Sequence, residues 1–120
     1  MADVLYFRPE QGQFYVVQVS DYLARLGYSF RDPVKPDVFV VSASPEVRDH
    51  ALKRRLEDPG RGFPYVLLIS VEPGLITINQ MTREKELELS RQFIEWLLDH
   101  YPCQVRDDYD HDLTEVCRRR

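Results

Sequence analysis

Two β-rich runs, Tyr65 to Val71 and Leu75 to Asn79, stand on either side of Glu72-Pro73-Gly74. A Pro-Gly pair between such runs is turn chemistry, so the segment predicts a β-hairpin. In its second arm Leu75, Thr77 and Asn79 alternate with Ile76, Ile78 and Gln80, which leaves at least one polar face. The next segment is helical in pattern, from Arg83 to about His100 behind a Thr82 cap. Leu87, Ile94, Leu97, Leu98 and Tyr101 fall on one side, with Phe93 beside them. Glu88, Arg91, Gln92, Glu95 and Asp99 fall on the other. This is the spacing of an amphipathic helix, and Pro102 stops it. Hairpin and helix together demand a layered α and β structure.

The rest of the chain fits that demand. Asp3 to Phe7 reads as a short strand, broken by Pro9 and Gly12. Tyr15, Val19, Tyr22 and Leu26 lie three and four apart, as do Gln18, Asp21 and Arg25, which predicts a helix over 14–26 with Gly27 as its C-terminal cap. Tyr28 to Arg31 reads as a short edge strand, and Val38 to Val41 as a buried central one. Ser44-Pro45-Glu46 opens a helix that runs to about Leu56 and buries Val47, Ala51, Leu52 and Leu56. Cys103 to Arg106 is a candidate last strand, and Asp112 to Glu115 the start of a capped terminal turn. The expected fold is α+β: a two-layer α/β sandwich with a mixed sheet of about four to six strands and three helices. Residues 1–120 form one domain, with a short helix or a frayed tail after about 112.

Charge and composition narrow the function. The net charge is −4, with 8 bases and 9 acids in residues 1–60 and 8 and 11 in the remainder. Neither half is basic, which argues against a nucleic-acid or anionic-membrane partner. Met1-Ala2-Asp3 opens without a basic leader or a long apolar run, and two cysteines do not make a disulfide framework. A cytoplasmic protein with reduced thiols is expected.

Candidate sites are few. Asp108, Asp110 and Asp112 alternate like the first half of a calcium loop. Leu113 stands where such a loop needs glycine, and Arg119 where it needs glutamate. The segment reads better as an acidic turn that caps a helix. His50, His100 and His111 share no ligand spacing with Cys103 or Cys117, so neither metal nor cofactor is expected. Cys103 follows a helix C-terminus, the wrong end for activating a thiol, and Cys117 stands in a tail expected to fray. Ser42 and Ser44 follow a central strand, near the loop Gly60 to Phe63. No G-x-S-x-G and no phosphate-binding glycine loop accompanies them. Lys53-Arg54-Arg55 and Arg118-Arg119-Arg120 are short basic clusters, the first on a solvated helix face.

Aromatic residues gather at element ends: Tyr28, Phe30, Phe63, Tyr65, Tyr101 and Tyr109. Tyrosine beside acids suits protein recognition, where the ring supplies area and the hydroxyl a bond. In type the chain resembles the small acidic bacterial proteins that neutralise toxins or bind other proteins, a likeness that assigns no residues. The leading expectation is a non-enzymatic protein-binding domain, an immunity-like inhibitor or adaptor. Its contact residues would be Asp107, Asp108, Tyr109, Asp110 and Asp112, facing a partner that is basic. Two alternatives stand beside it. One is a small enzyme or ligand-binding domain with its site near Ser42, Ser44 and the Gly60–Phe63 loop. The other is a homo-oligomer joined edge to edge through the hairpin of 65–79.

Overall fold

The computed structural model describes residues 2–26, 28–81 and 84–118. The expected caps Gly27 and Thr82, the side chain of Leu87, and Arg119 and Arg120 lie outside the described residues. The elements run β1 (Ala2–Pro9), α1 (Val16–Ala24), β2 (Ser29–Arg31), β3 (Val38–Val41), α2 (Pro45–Glu57), β4 (Leu67–Glu72), β5 (Leu75–Met81), α3 (Glu84–His100), β6 (Cys103–Asp107) and α4 (Thr114–Arg118). The α+β class holds. The terminal segment is a short helix, not a frayed tail.

The six strands form one sheet in the order β2-β3-β4-β5-β1-β6. Every described pairing is antiparallel, so the sheet is not mixed. Two connections explain the difference. β1 inserts between β5 and β6 and pairs antiparallel with both. The strands flanking α3 are therefore parallel to each other without touching. After α2 the chain returns to the end of β3 before β4 begins, because the Val66 N–H donates to the Val41 carbonyl at 2.8 Å.

Strand alternation builds the core. Leu5 and Phe7, Leu67 and Ile69, Ile76 and Ile78, and Cys103 and Val105 are buried in one cluster. Val19 and Leu23 of α1, Phe93, Ile94 and Leu97 of α3, and Cys117 of α4 join it. Val40 points the other way from Phe39 and Val41. It is wholly buried outside that cluster, as is Ala51 of α2. We place α2 on this second face, at the β2–β3 end.

α2 starts as its residues demand. Ser44 Oγ accepts the Val47 N–H at 3.2 Å, and Pro45 takes the first turn. Its inward face differs from the expected one: Leu56 is 63% exposed, and Arg55 is buried beside Ala51. One residue along a helix is about 100° of rotation. The face is chosen by Asp32, also buried, whose carboxylate oxygens take Arg55 Nε at 3.2 Å and Nη2 at 2.9 Å.

The hairpin of 65–79 cannot join subunits edge to edge, because β4 and β5 are interior strands. The edges are β2 and β6. The outer side of β6 is covered by its own chain: Leu113 N–H donates to Val105 O at 2.8 Å, and Asp107 N–H to His111 O at 3.2 Å. β2 has three residues. Short or covered edges resist unwanted strand pairing. Among the described residues no helix is long and apolar enough to cross a membrane.

Candidate functional site

The five residues Asp107, Asp108, Tyr109, Asp110 and Asp112 share one loop between β6 and α4. At its turn, Asp110 N–H donates to Asp107 O at 3.1 Å. Asp110 has φ 62°, a left-handed backbone that aspartate tolerates better than most side chains.

Each acid in the loop does a different job. Asp107 is the hub. Its Oδ1 accepts the N–H groups of Tyr109 and His111, each at 2.9 Å, and its Oδ2 lies 3.0 Å from His111 Nδ1. The His111 N–H, first among these bonds, holds the Asp107 carboxyl below its ordinary value. Asp112 caps α4, taking Thr114 Oγ1–H at 2.6 Å and Thr114 N–H at 3.0 Å. The Thr114 hydroxyl bond, followed by the N–H, lowers that carboxyl in turn. Thr114 Oγ1 also accepts Val105 N–H at 3.0 Å, which fastens α4 to β6. Asp108 Oδ1 accepts the Tyr6 hydroxyl at 2.8 Å, and this bond raises the Tyr6 pKa. Asp110 turns outward, its carboxylate 85% exposed and 3.6 Å from Arg106 Nη1.

Three of the four carboxylates therefore accept bonds from groups of the same chain. The loop offers to solvent the Asp110 carboxylate and the Tyr109 ring, 82% exposed and 6.1 Å from the His111 ring, alongside the exposed Asp108, His111 and Asp112. Among the described residues no group of three or more His, Cys, Asp or Glu is arranged to hold a metal ion.

The residues of the enzyme alternative are not brought together at an open site. The Ser44 hydroxyl is spent on the α2 cap. Ser42 is wholly buried, and its Oγ has no hydrogen-bond partner. The Gly60–Phe63 loop is held from α2, with Arg54 Nη1 on Gly62 O at 3.0 Å and the Arg55 guanidinium 5.3 Å from the Phe63 ring centre. Beside it lies an open cleft of ≈ 250 Å³, lined by His50, Lys53, Arg54, Glu57, Asp58 and Arg61. Acid and base are mixed there, and the α2 C-terminus adds partial negative charge, so an anion gains little.

Burial pushes the Cys103 thiol up to about 11, which keeps it protonated and unreactive. Cys117 was expected in a frayed tail; it sits in α4 at 3% exposure within the core.

Two features escape the sequence reading. The first is the Asp32–Arg55 pair. The second is a ladder of rings across α1 and α3: Tyr22 stacks on Trp96 at 4.6 Å, and Trp96 on His100 at 4.6 Å. Tyr22 and Trp96 pack partly into the core, so this ladder joins the helices. The four-residue spacing of Trp96 and His100 was its one visible signal.

No family model, curated protein or solved structure matches the chain.

Proposed function

We propose that this chain is a non-enzymatic protein-binding domain of the cytoplasm, an immunity-like inhibitor or adaptor, that engages its partner through the loop of 107–112. The supporting observation is Tyr109, 82% exposed on a loop whose backbone is tied down by Asp107. An aromatic side chain carried on a backbone that is already ordered leaves less freedom to be lost on binding, and tyrosine is enriched where binding energy concentrates. Asp110 adds an exposed negative charge beside the ring, only loosely paired with Arg106 at 3.6 Å. It favours a basic partner and speeds encounter more than it tightens the complex.

The test is affinity capture of the tagged protein from its native cells at low and moderate salt, followed by affinity measurement with the captured partner. One dominant basic partner is expected. Tyr109→Ala should weaken it about tenfold or more, and Asp110→Arg should lower the association rate and its salt dependence. Recovery of no partner, or an affinity that Tyr109→Ala leaves unchanged, counts against the proposal.

A further inference from the structure

A buried cysteine stands on each side of the 107–112 loop: Cys103 opens β6 and Cys117 lies in α4. The path of the chain brings them to one level of the sheet. Asp112 pairs antiparallel with Arg106, and the Leu113 N–H donates to the Val105 carbonyl. From Val105 back to Cys103 is two strand residues, about 6.6 Å. From Leu113 on to Cys117 is one helical turn, about 6 Å. The end of α4 confirms the level. Arg118 Nη2 lies 3.5 Å from Glu10 Oε1, and the Glu10 N–H donates to the carbonyl of Pro102, next to Cys103. Both cysteine side chains belong to the same core cluster. Burial acts most on the Cys103 thiol, but Arg118, Glu10 and Cys117 also act on it, as only near groups do.

We propose that Cys103 and Cys117 form a redox couple, a dithiol that closes to a disulfide and latches α4 to β6 around the 107–112 loop. Both are reduced in this structure. In a reducing compartment such a bond forms transiently and acts as a sensor rather than a staple.

The oxidant is a small disulfide. Cys117 is the point of entry, because it lines an open cleft of ≈ 460 Å³ with Glu95, Leu98, Asp99 and Arg118. The two carboxylates in that wall favour an uncharged reagent. The Cys117 thiol gives its proton to water, its sulfur attacks the reagent, and one half of the reagent leaves as a thiolate. Cys103, held protonated by its burial, does not begin the exchange; it completes it within the molecule. It loses its proton, attacks the Cys117 sulfur and expels the second half of the reagent. The protein has then lost two electrons and two protons, and the reagent has become two thiols. The ring from 103 to 117 encloses the Asp107 hub, the turn at Asp110 and the Asp112 cap. Closing it restricts the unfolded chain and keeps α4 from loosening. On the function proposed above, it also stiffens the surface that the partner meets.

Incubation of the folded full chain with hydroxyethyl disulfide, read by intact mass and peptide mapping, tests the proposal. The product should be a monomer lighter by two hydrogens, with Cys103 joined to Cys117. The map of the unsubstituted chain decides this without relying on any variant to fold. Cys103→Ser should stop at a mixed disulfide on Cys117, and folded Cys117→Ser should stay unmodified. In urea the closed form should show an unfolding constant lower by about a hundredfold. Its Tyr109 and His111 amide hydrogens should exchange more slowly, and reduction should reverse both effects. Mixed adducts without the internal bond overturn the proposal, as does a bond that forms only in urea. So does a closed form whose loop amides exchange as fast as before.

Discussion

Arg55 is the residue whose surroundings differ most from what its neighbours in sequence announce. In Lys53-Arg54-Arg55 it reads as one more solvated cation, yet it is 8% exposed and closes on Asp32, 4% exposed. Its Nη1 also reaches the Pro59 carbonyl. One side chain thus ties the β2–β3 turn, the end of α2 and the following loop together. Pattern reading cannot see this, because a buried ion pair is defined by two residues 23 apart in the chain. Removing one partner from such a pair strands the other, at a cost of about 3–5 kcal/mol. Arg55→Ala should therefore lower stability in urea by about that amount. The pair also has a pH signature. Burial pushes the Asp32 carboxyl up, but the Val34 N–H and the Arg55 guanidinium outweigh it and leave it below its ordinary 3.8. A carboxyl lowered on folding contributes stability that is complete above its unfolded value, and that is lost as pH falls through the folded one. Asp107 and Asp112 act in the same direction. Asp32→Asn should thus flatten, without abolishing, the loss of stability below about pH 4.

The loop acids were legible as residues but not as roles. Alternating aspartates announce a turn and a cap, and Asp112 is that cap. The sequence does not say which carboxylate faces inward, since this depends on where β1 places Tyr6 and how β6 meets Asp107.

Among the elements, strands and helices with strong local chemistry matched their expected positions. Ser44-Pro45-Glu46 starts α2, Pro102 ends α3, and the Pro73-Gly74 turn joins β4 to β5. These are short-range signals, carried by capping bonds and restricted backbone angles. Which face an element buries is a longer-range matter, and there Leu56 misled. Two substitutions on α2 separate the two kinds of information. Ser44→Ala removes the cap and should cost about 1 kcal/mol. Leu56→Lys, on the exposed face, should change stability by no more than about 0.5 kcal/mol. Urea unfolding of both variants checks the pair. A Leu56→Lys loss as large as that of a core truncation would mean that α2 is rotated from the position described.

For the whole molecule, helix and strand content followed from periodicity, whereas strand order did not. The alternation of strands and helices suggested a mixed sheet; the insertion of β1 between β5 and β6, and the return of the chain to the end of β3 before β4, leave every described pairing antiparallel. Nothing local to residues 2–9 encodes that position, which rests on contacts with partners some seventy and a hundred residues away. The two thiols report on this closure. Both are buried, Cys103 in edge strand β6 and Cys117 in the five-residue α4. Alkylation followed by mass spectrometry should modify Cys117 first, as α4 loosens, and Cys103 only when the sheet opens. Equal rates at both sites, as fast as in the unfolded chain, would show that this corner is not sealed.

The position of β1 also sets an order in time. It is the first of the six strands to leave the ribosome, yet both of its neighbours are made later, β6 nearly last. Until about residue 107 has emerged, β1 has at least one unsatisfied side, and its alternating Leu5 and Phe7 must wait. Such distant pairing slows folding, and synthesis adds its own delay. A nascent chain stopped before β6 would hold β1 open on one side, exposed to the factors that recognise unfinished proteins.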